Sequence, residues 1–128
     1  MPNDAARAEF WKEFILTRCH YPAPERLRVH LAVAAPHNFC DCGCNSFETT
    51  VLKDAALPLV GPGPGMFFEA DFRMDDDRQI EVLLFANEQG YLAGVDVQCQ
   101  GNTDAVPDDL RLDLEPFHVW VAEGAILS

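Results

Sequence analysis

The feature that most constrains how this chain can fold is a period of two that sets in at Phe47 and recurs through the rest of it. Met66, Phe68, Ala70, Phe72 and Met74 alternate with Glu69, Asp71 and Arg73, the pattern of a strand with one face on a core and the other toward water. Asp75-Asp76-Asp77 then turns the chain into Ile80, Val82, Leu84 and Ala86. Leu83 and Phe85 carry apolar groups on the opposite face, so this strand is expected to be central and covered on both sides, at least at one end. After the turn Asn87-Glu88-Gln89-Gly90, the segment from Tyr91 to Cys99 returns with Val95, Val97 and Cys99 on one face. Phe47, Thr49 and Val51 form an earlier strand, joined to this meander through Pro58 and the irregular Gly61-Pro62-Gly63-Pro64-Gly65 loop. Leu110, Leu112 and Leu114 alternate again, as do Phe117, Val119 and Val121. Pro116 makes them separate short elements or one broken edge strand.

The first third of the chain has a different period. Asn3 or Asp4 can cap a helix with Phe10, Trp11, Phe14 and Ile15 as its apolar positions and Arg7, Lys12 and Arg18 on the other side. Tyr21-Pro22-Ala23-Pro24 stops it. In residues 25–35, Leu27, Val29, Leu31 and Val33 alternate as a strand would. Pro24, Glu25 and the alanines at 32, 34 and 35 favour a helix ended by Pro36. The expected architecture is α+β: a single antiparallel sheet of about four to six strands, with one or two N-terminal helices packed on one face. The chain has 128 residues and no internal repeat or linker, so residues 1–128 read as one domain.

Charge narrows the functional classes. The formal net charge is −12. Residues 1–68 hold six basic and seven acidic groups, and residues 69–128 hold three basic and fourteen acidic ones. A polyanionic second half repels nucleic acid and anionic lipid, which are bound through Lys and Arg, and attracts a basic protein or a cation. Asp75, Asp76, Asp77, Asp108 and Asp109 are the candidate residues for such a partner, projecting from turns. Asp71 and Asp113 are expected to project from strand faces in the same way. Acidic residues that serve only solubility are the plainer alternative. No run approaches the roughly 18–20 apolar residues of a membrane span. The first thirteen residues carry Asp4, Glu9 and Glu13, so no secretory leader is expected. With five cysteines, an odd number, the expected setting is reducing and cytoplasmic.

Three of those cysteines fall in Cys40-Asp41-Cys42-Gly43-Cys44, with His37 just upstream. His37, Cys40, Cys42 and Cys44 have the donor set of a Cys₃His zinc site, but zinc needs its donors within roughly 4 Å of one another. In an extended chain residues i and i+4 lie about 13 Å apart, so a shared metal requires a sharp bend at Gly43. A thiolate activated by His37 is opposed by Asp41, whose charge raises a neighbouring thiol pKa. The expectation is a strand that buries the three thiols on one face as small hydrophobes, with a bulge at Asn45-Ser46. Glu81 and Asp96 are candidates for carboxylates paired across the hairpin. Trp11 and Trp120 read as core or interface anchors.

Cys40 to Phe47, followed by Val82-Leu83-Leu84-Phe85 and by Gly90 to Val97, resembles a group of small uncharacterised bacterial proteins with a Cys-x-Cys-Gly-Cys segment ahead of a β-hairpin. The resemblance implies a bacterial origin and a shared fold, and it brings no activity or site residue with it. No catalytic constellation is visible. The resulting expectation is a small acidic non-enzymatic binding protein, an inhibitor- or immunity-type factor for a basic partner, without a cofactor. The alternative is a metal- or thiol-dependent protein using zinc or a thiolate at His37, Cys40, Cys42 and Cys44.

Overall fold

The structure, a computed structural model, describes residues 3–41, 43–51, 58, 60, 62–113 and 115–123. Helix α1 (Ala5–Arg18) starts where Asp4, in extended backbone, accepts the Arg7 N–H at 3.0 Å through its side chain. Arg18 closes it at the negative end of its dipole. Helix α2 (Pro24–Val33) has proline in its first turn, where a missing N–H costs nothing, and Glu25 beside it. It stops at Ala34, whose backbone is extended, one residue before Ala35, the residue that Pro36 biases away from the helical region. The helical reading of residues 25–35 thus holds through Val33, and Ala35 and Pro36, expected at the helix end, lie in a strand. The chain continues as β1 (Ala35–His37), β2 (Phe47–Thr50), β3 (Gly65–Arg73), β4 (Gln79–Ala86), β5 (Leu92–Cys99) and β6 (His118–Val121).

These six strands form one antiparallel sheet in the order β1-β2-β5-β4-β3-β6. The α+β architecture expected from periodicity is the one present. The meander β3-β4-β5 is central, while β2 joins it at β5 and β6 returns to the far side of β3. Three cross-sheet rows build the core: Phe72–Ile80–Cys99, Ala70–Val82–Val97 and Phe68–Leu84–Val95. All nine side chains are buried, and the helices cover them with Trp11, Phe14, Ile15, Leu27 and Leu31. The Phe14 and Phe72 rings meet edge to face at 4.9 Å, and Tyr21 meets Phe68 at 5.3 Å. A register shift between Met66 and Phe68 lets consecutive Phe67 and Phe68 both be buried.

Several expectations are corrected. Arg7 and Lys12 do not lie on a solvent side of α1; both are buried. Arg7 Nε donates to Asn45 Oδ1 at 2.8 Å, and Lys12 Nζ donates to the Ala34 carbonyl at 3.0 Å, so each long side chain buries its stem and satisfies its head. Phe10 is the helix residue pushed outward, at 43% exposed. Leu83 and Phe85 are half-buried, because no helix packs on their face of β4. Of the two tryptophans expected as core or interface anchors, Trp11 is fully buried in the core and Trp120 is 40% exposed on edge strand β6, where only the interface alternative applies to it. Around residues 110–114, only the isolated bridge between Leu112 and Met74 is strand-like among the described residues, and Leu114 lies outside them.

Candidate functional site

The cysteine segment is not a strand. Among the described residues it is a loop closed by Cys40 N–H donating to the Ser46 carbonyl at 3.0 Å. Gly43, at φ +102°, supplies a left-handed bend, and its carbonyl accepts from Val106 N–H at 2.8 Å. Asn3 Nδ2 donates to the Cys40 and Ser46 carbonyls at 2.9 and 2.8 Å. Asn45, buried, accepts from Arg7 Nε at 2.8 Å and from Trp11 Nε1 at 2.9 Å through one oxygen, Oδ1. The expected extended pattern fails because these tertiary bonds hold the turn. Local alternation cannot reveal them.

The bend at Gly43 does not assemble the proposed zinc set among the described residues. His37, Cys40 and Cys44 are not within reach of a common ion, and Cys42 lies outside the described residues. His37 Nε2 instead bonds Thr50 Oγ1 at 2.7 Å on the neighbouring strand. Cys19, Cys40, Cys44 and Cys99 carry thiols. Burial pushes the Cys19 thiol up to about 12 and raises that of Cys99, which disfavours the thiolate form of each. Cys40 and Cys44 line a cleft of about 530 Å³ with Phe85, Gly94 and Asp96. Burial raises the Asp96 carboxyl, against the hydrogen bond from Ser46. Asp96 faces Leu83 across the ladder, and Glu81 faces Gln98, so the two carboxylates are not directly paired.

The acidic turn and the acidic loop, some thirty residues apart in sequence, meet at one end of the sheet. Asp75 N–H donates to the Arg111 carbonyl at 3.0 Å, Asp113 N–H to the Arg73 carbonyl at 3.0 Å, and Arg78 contacts Asp104 at 3.4 Å. Segments 73–78 and 104–113 together hold seven aspartates and three arginines. Asp75, Asp76, Asp77, Asp108, Asp109 and Asp113 are exposed as expected. Two of the arginines are already engaged: Arg78 with Asp76 at 2.9 Å and Arg111 with Asp109 at 3.2 Å. Asp76 has a structural duty as well, accepting the Arg78 N–H at 3.1 Å across the turn.

Asp71 is the exception to the projecting aspartates. It sits on the helix-free face yet is only 6% exposed. It stands opposite Glu81 on β4 and His118 on β6, and Glu69 lies two residues along its own strand. His118 Nδ1 lies 2.8 Å from Asp71 Oδ2, while Asp71 Oδ1 is buried with no hydrogen-bond donor among the described residues. Burial, together with the adjoining Glu69 carboxyl, pushes the Asp71 carboxyl up to about 7, against the opposing pull of His118. One ligand atom from each of Glu69, Asp71 and His118 lies within 4.8 Å of the others. Sequence reading missed this group because it depends on the β3–β6 register, across some fifty residues. The only signal was parity: Glu69 and Asp71 on one strand, and His118 and Trp120 on another, occupy outward positions.

No protein-family model, curated protein or solved structure matches this chain. No helix among the described residues is long and apolar enough to cross a membrane.

Proposed function

We propose that this protein is a non-enzymatic binding protein whose acidic end recognises a basic protein, in the manner of an inhibitor or immunity-type factor. The observation that carries this reading is the convergence of segments 73–78 and 104–113, which concentrates seven aspartates against three arginines on one end of the sheet. A field of that sign speeds encounter with a cationic surface and repels nucleic acid.

The test is capture of a basic protein from native lysate by the immobilised chain at low and at high salt, beside the double variant Asp75→Lys with Asp109→Lys. Those two positions are exposed, and reversing them spares the turn bonds of Asp76. Retention at low salt, release at high salt and loss in the variant support the reading. No basic protein retained, or retention indifferent to salt and charge reversal, overturns it and leaves the aspartates as a solubilising surface.

A further inference from the structure

The cluster of Glu69, Asp71 and His118 carries an inference that stands apart from the acidic end. Carboxylates are packed together there, with the His118 imidazole as the basic side chain bonded to Asp71. Asp71 has Glu69 beside it and Glu81 across the ladder. Arg73, the next outward-facing residue on β3, is stacked on the Phe117 ring at 4.7 Å and makes no bond to Asp71. Asp71 Oδ1 is the telling atom: it is buried, it accepts from no donor among the described residues, and an ionised carboxylate neighbour can only accept in turn. A buried acceptor between acceptors needs either a proton or a cation.

We infer that Glu69, Asp71 and His118 form a binding site for a divalent transition-metal ion. The donors are two carboxylate oxygens and the imidazole Nδ1, a mixed nitrogen–oxygen set that suits zinc, cobalt or manganese better than magnesium or calcium, which take oxygen alone. Neighbouring ligands on an ion held at about 2.0–2.2 Å stand roughly 3 Å apart, and the 2.8 Å between His118 Nδ1 and Asp71 Oδ2 matches that spacing. The three-atom set lies within 4.8 Å, and the His118 side chain, about half exposed, leaves room for the small rotations that would close it on an ion. The ion takes the place of the proton on Nδ1 and of any proton held between the carboxyls, releasing them to solvent. Three protein ligands leave further positions for water, and the site opens on the helix-free face of the sheet.

Cobalt(II) is the probe, because its absorption spectrum separates a nitrogen–oxygen site from the thiols of the cysteine loop. Titration of the reduced full chain should give one equivalent with weak visible ligand-field bands and no strong near-ultraviolet thiolate band. Zinc should displace it and magnesium should not. His118→Ala and Glu69→Gln should each weaken cobalt binding at least about tenfold, with unchanged far-ultraviolet circular dichroism, while Cys40→Ser leaves it alone. In the unaltered protein, paramagnetic broadening of amide NMR signals should centre on residues 69–71 and 117–119, so the assignment does not depend on any variant folding. A thiolate band, broadening centred elsewhere, equal binding by His118→Ala and Glu69→Gln, or no saturable spectrum at millimolar cobalt would each overturn it.

Discussion

Replacing Asn45 by alanine isolates the bond that fastens the cysteine loop to helix α1. The single oxygen Oδ1 serves two donors, the Trp11 indole at 2.9 Å and the Arg7 guanidinium at 2.8 Å. Trp11 is fully buried and Arg7 is 5% exposed, so neither N–H can turn to bulk water. Leaving a buried donor unmet costs about 1–3 kcal/mol, and a charged one falls toward the upper part of that range. Arg7 keeps a second contact, to the Pro107 carbonyl at 3.3 Å, which limits its loss. The expected cost of Asn45→Ala is therefore roughly 2–5 kcal/mol, a large share of the ~5–15 kcal/mol that holds a domain together. Urea unfolding by linear extrapolation measures it, with an unchanged m-value confirming that the unfolded ensemble is the same. Asn45→Asp keeps the acceptor and should lose about 1 kcal/mol or less beside a guanidinium. A double-mutant cycle with Trp11→Phe should show a coupling of about 1 kcal/mol or more. A loss under about 1 kcal/mol for Asn45→Ala, or strict additivity in the cycle, would refute the claim that Oδ1 is the fastening point.

Leu84, on β4 between β3 and β5 and wholly buried, should cost roughly 2–5 kcal/mol on truncation to alanine, read by denaturant titration; a value under about 1 kcal/mol would contradict its central place. Gly43→Ala should destabilise by about 1–3 kcal/mol, because φ is +102° and the added Cβ would stand 3.1 Å from Ala105 Cβ; unchanged stability would mean the loop is not held in that conformation. His30 is buried and neutral, with Nε2–H donating to the Pro58 carbonyl at 2.5 Å and Nδ1 accepting from Leu92 N–H at 3.3 Å. Burial lowers its pKa from 6.5, against the Pro58 bond, so the unfolded chain takes up the proton first as pH falls. Its contribution is intact above pH 6.5 and is lost below it, toward the depressed folded value. The unaltered protein should thus lose stability relative to His30→Gln as pH falls below 6.5, and parallel pH profiles would contradict this.

What could be read in advance follows the range of the interactions concerned. The Met66–Met74 alternation, the Asp4 cap and the Pro24 start are local, and each led to the right element. Arg7 and Lys12 misled because a charged side chain on a helix is outward by default, and their partners, Asn45 and Ala34, come from other elements. The thiols of residues 40–44 fitted a strand equally well until Asn3, Asn45 and Gly43 were seen to hold a loop. Asp71 followed the outward parity correctly, yet parity says nothing of burial. Only the docking of β6 brings His118 onto it and closes that position. The acidic residues were legible singly, and their meeting at one end rests on three backbone and ion-pair contacts with no local signature.

The strand order has a kinetic consequence for the thiols. The β3-β4-β5 meander closes through short turns, whereas Phe47 reaches Val95 and Phe68 reaches Val121 only across about fifty residues of chain. Contacts between near neighbours form before remote ones, since closing a longer loop loses more chain entropy. The meander should assemble first, and β2 should zip onto β5 afterwards, carrying the cysteine loop with it. Cys44, buried once folding is complete, would then stay open to oxidants for most of the folding time. Pulsed alkylation during refolding would register that interval as a Cys44 label that outlasts the one at Cys99 in the meander.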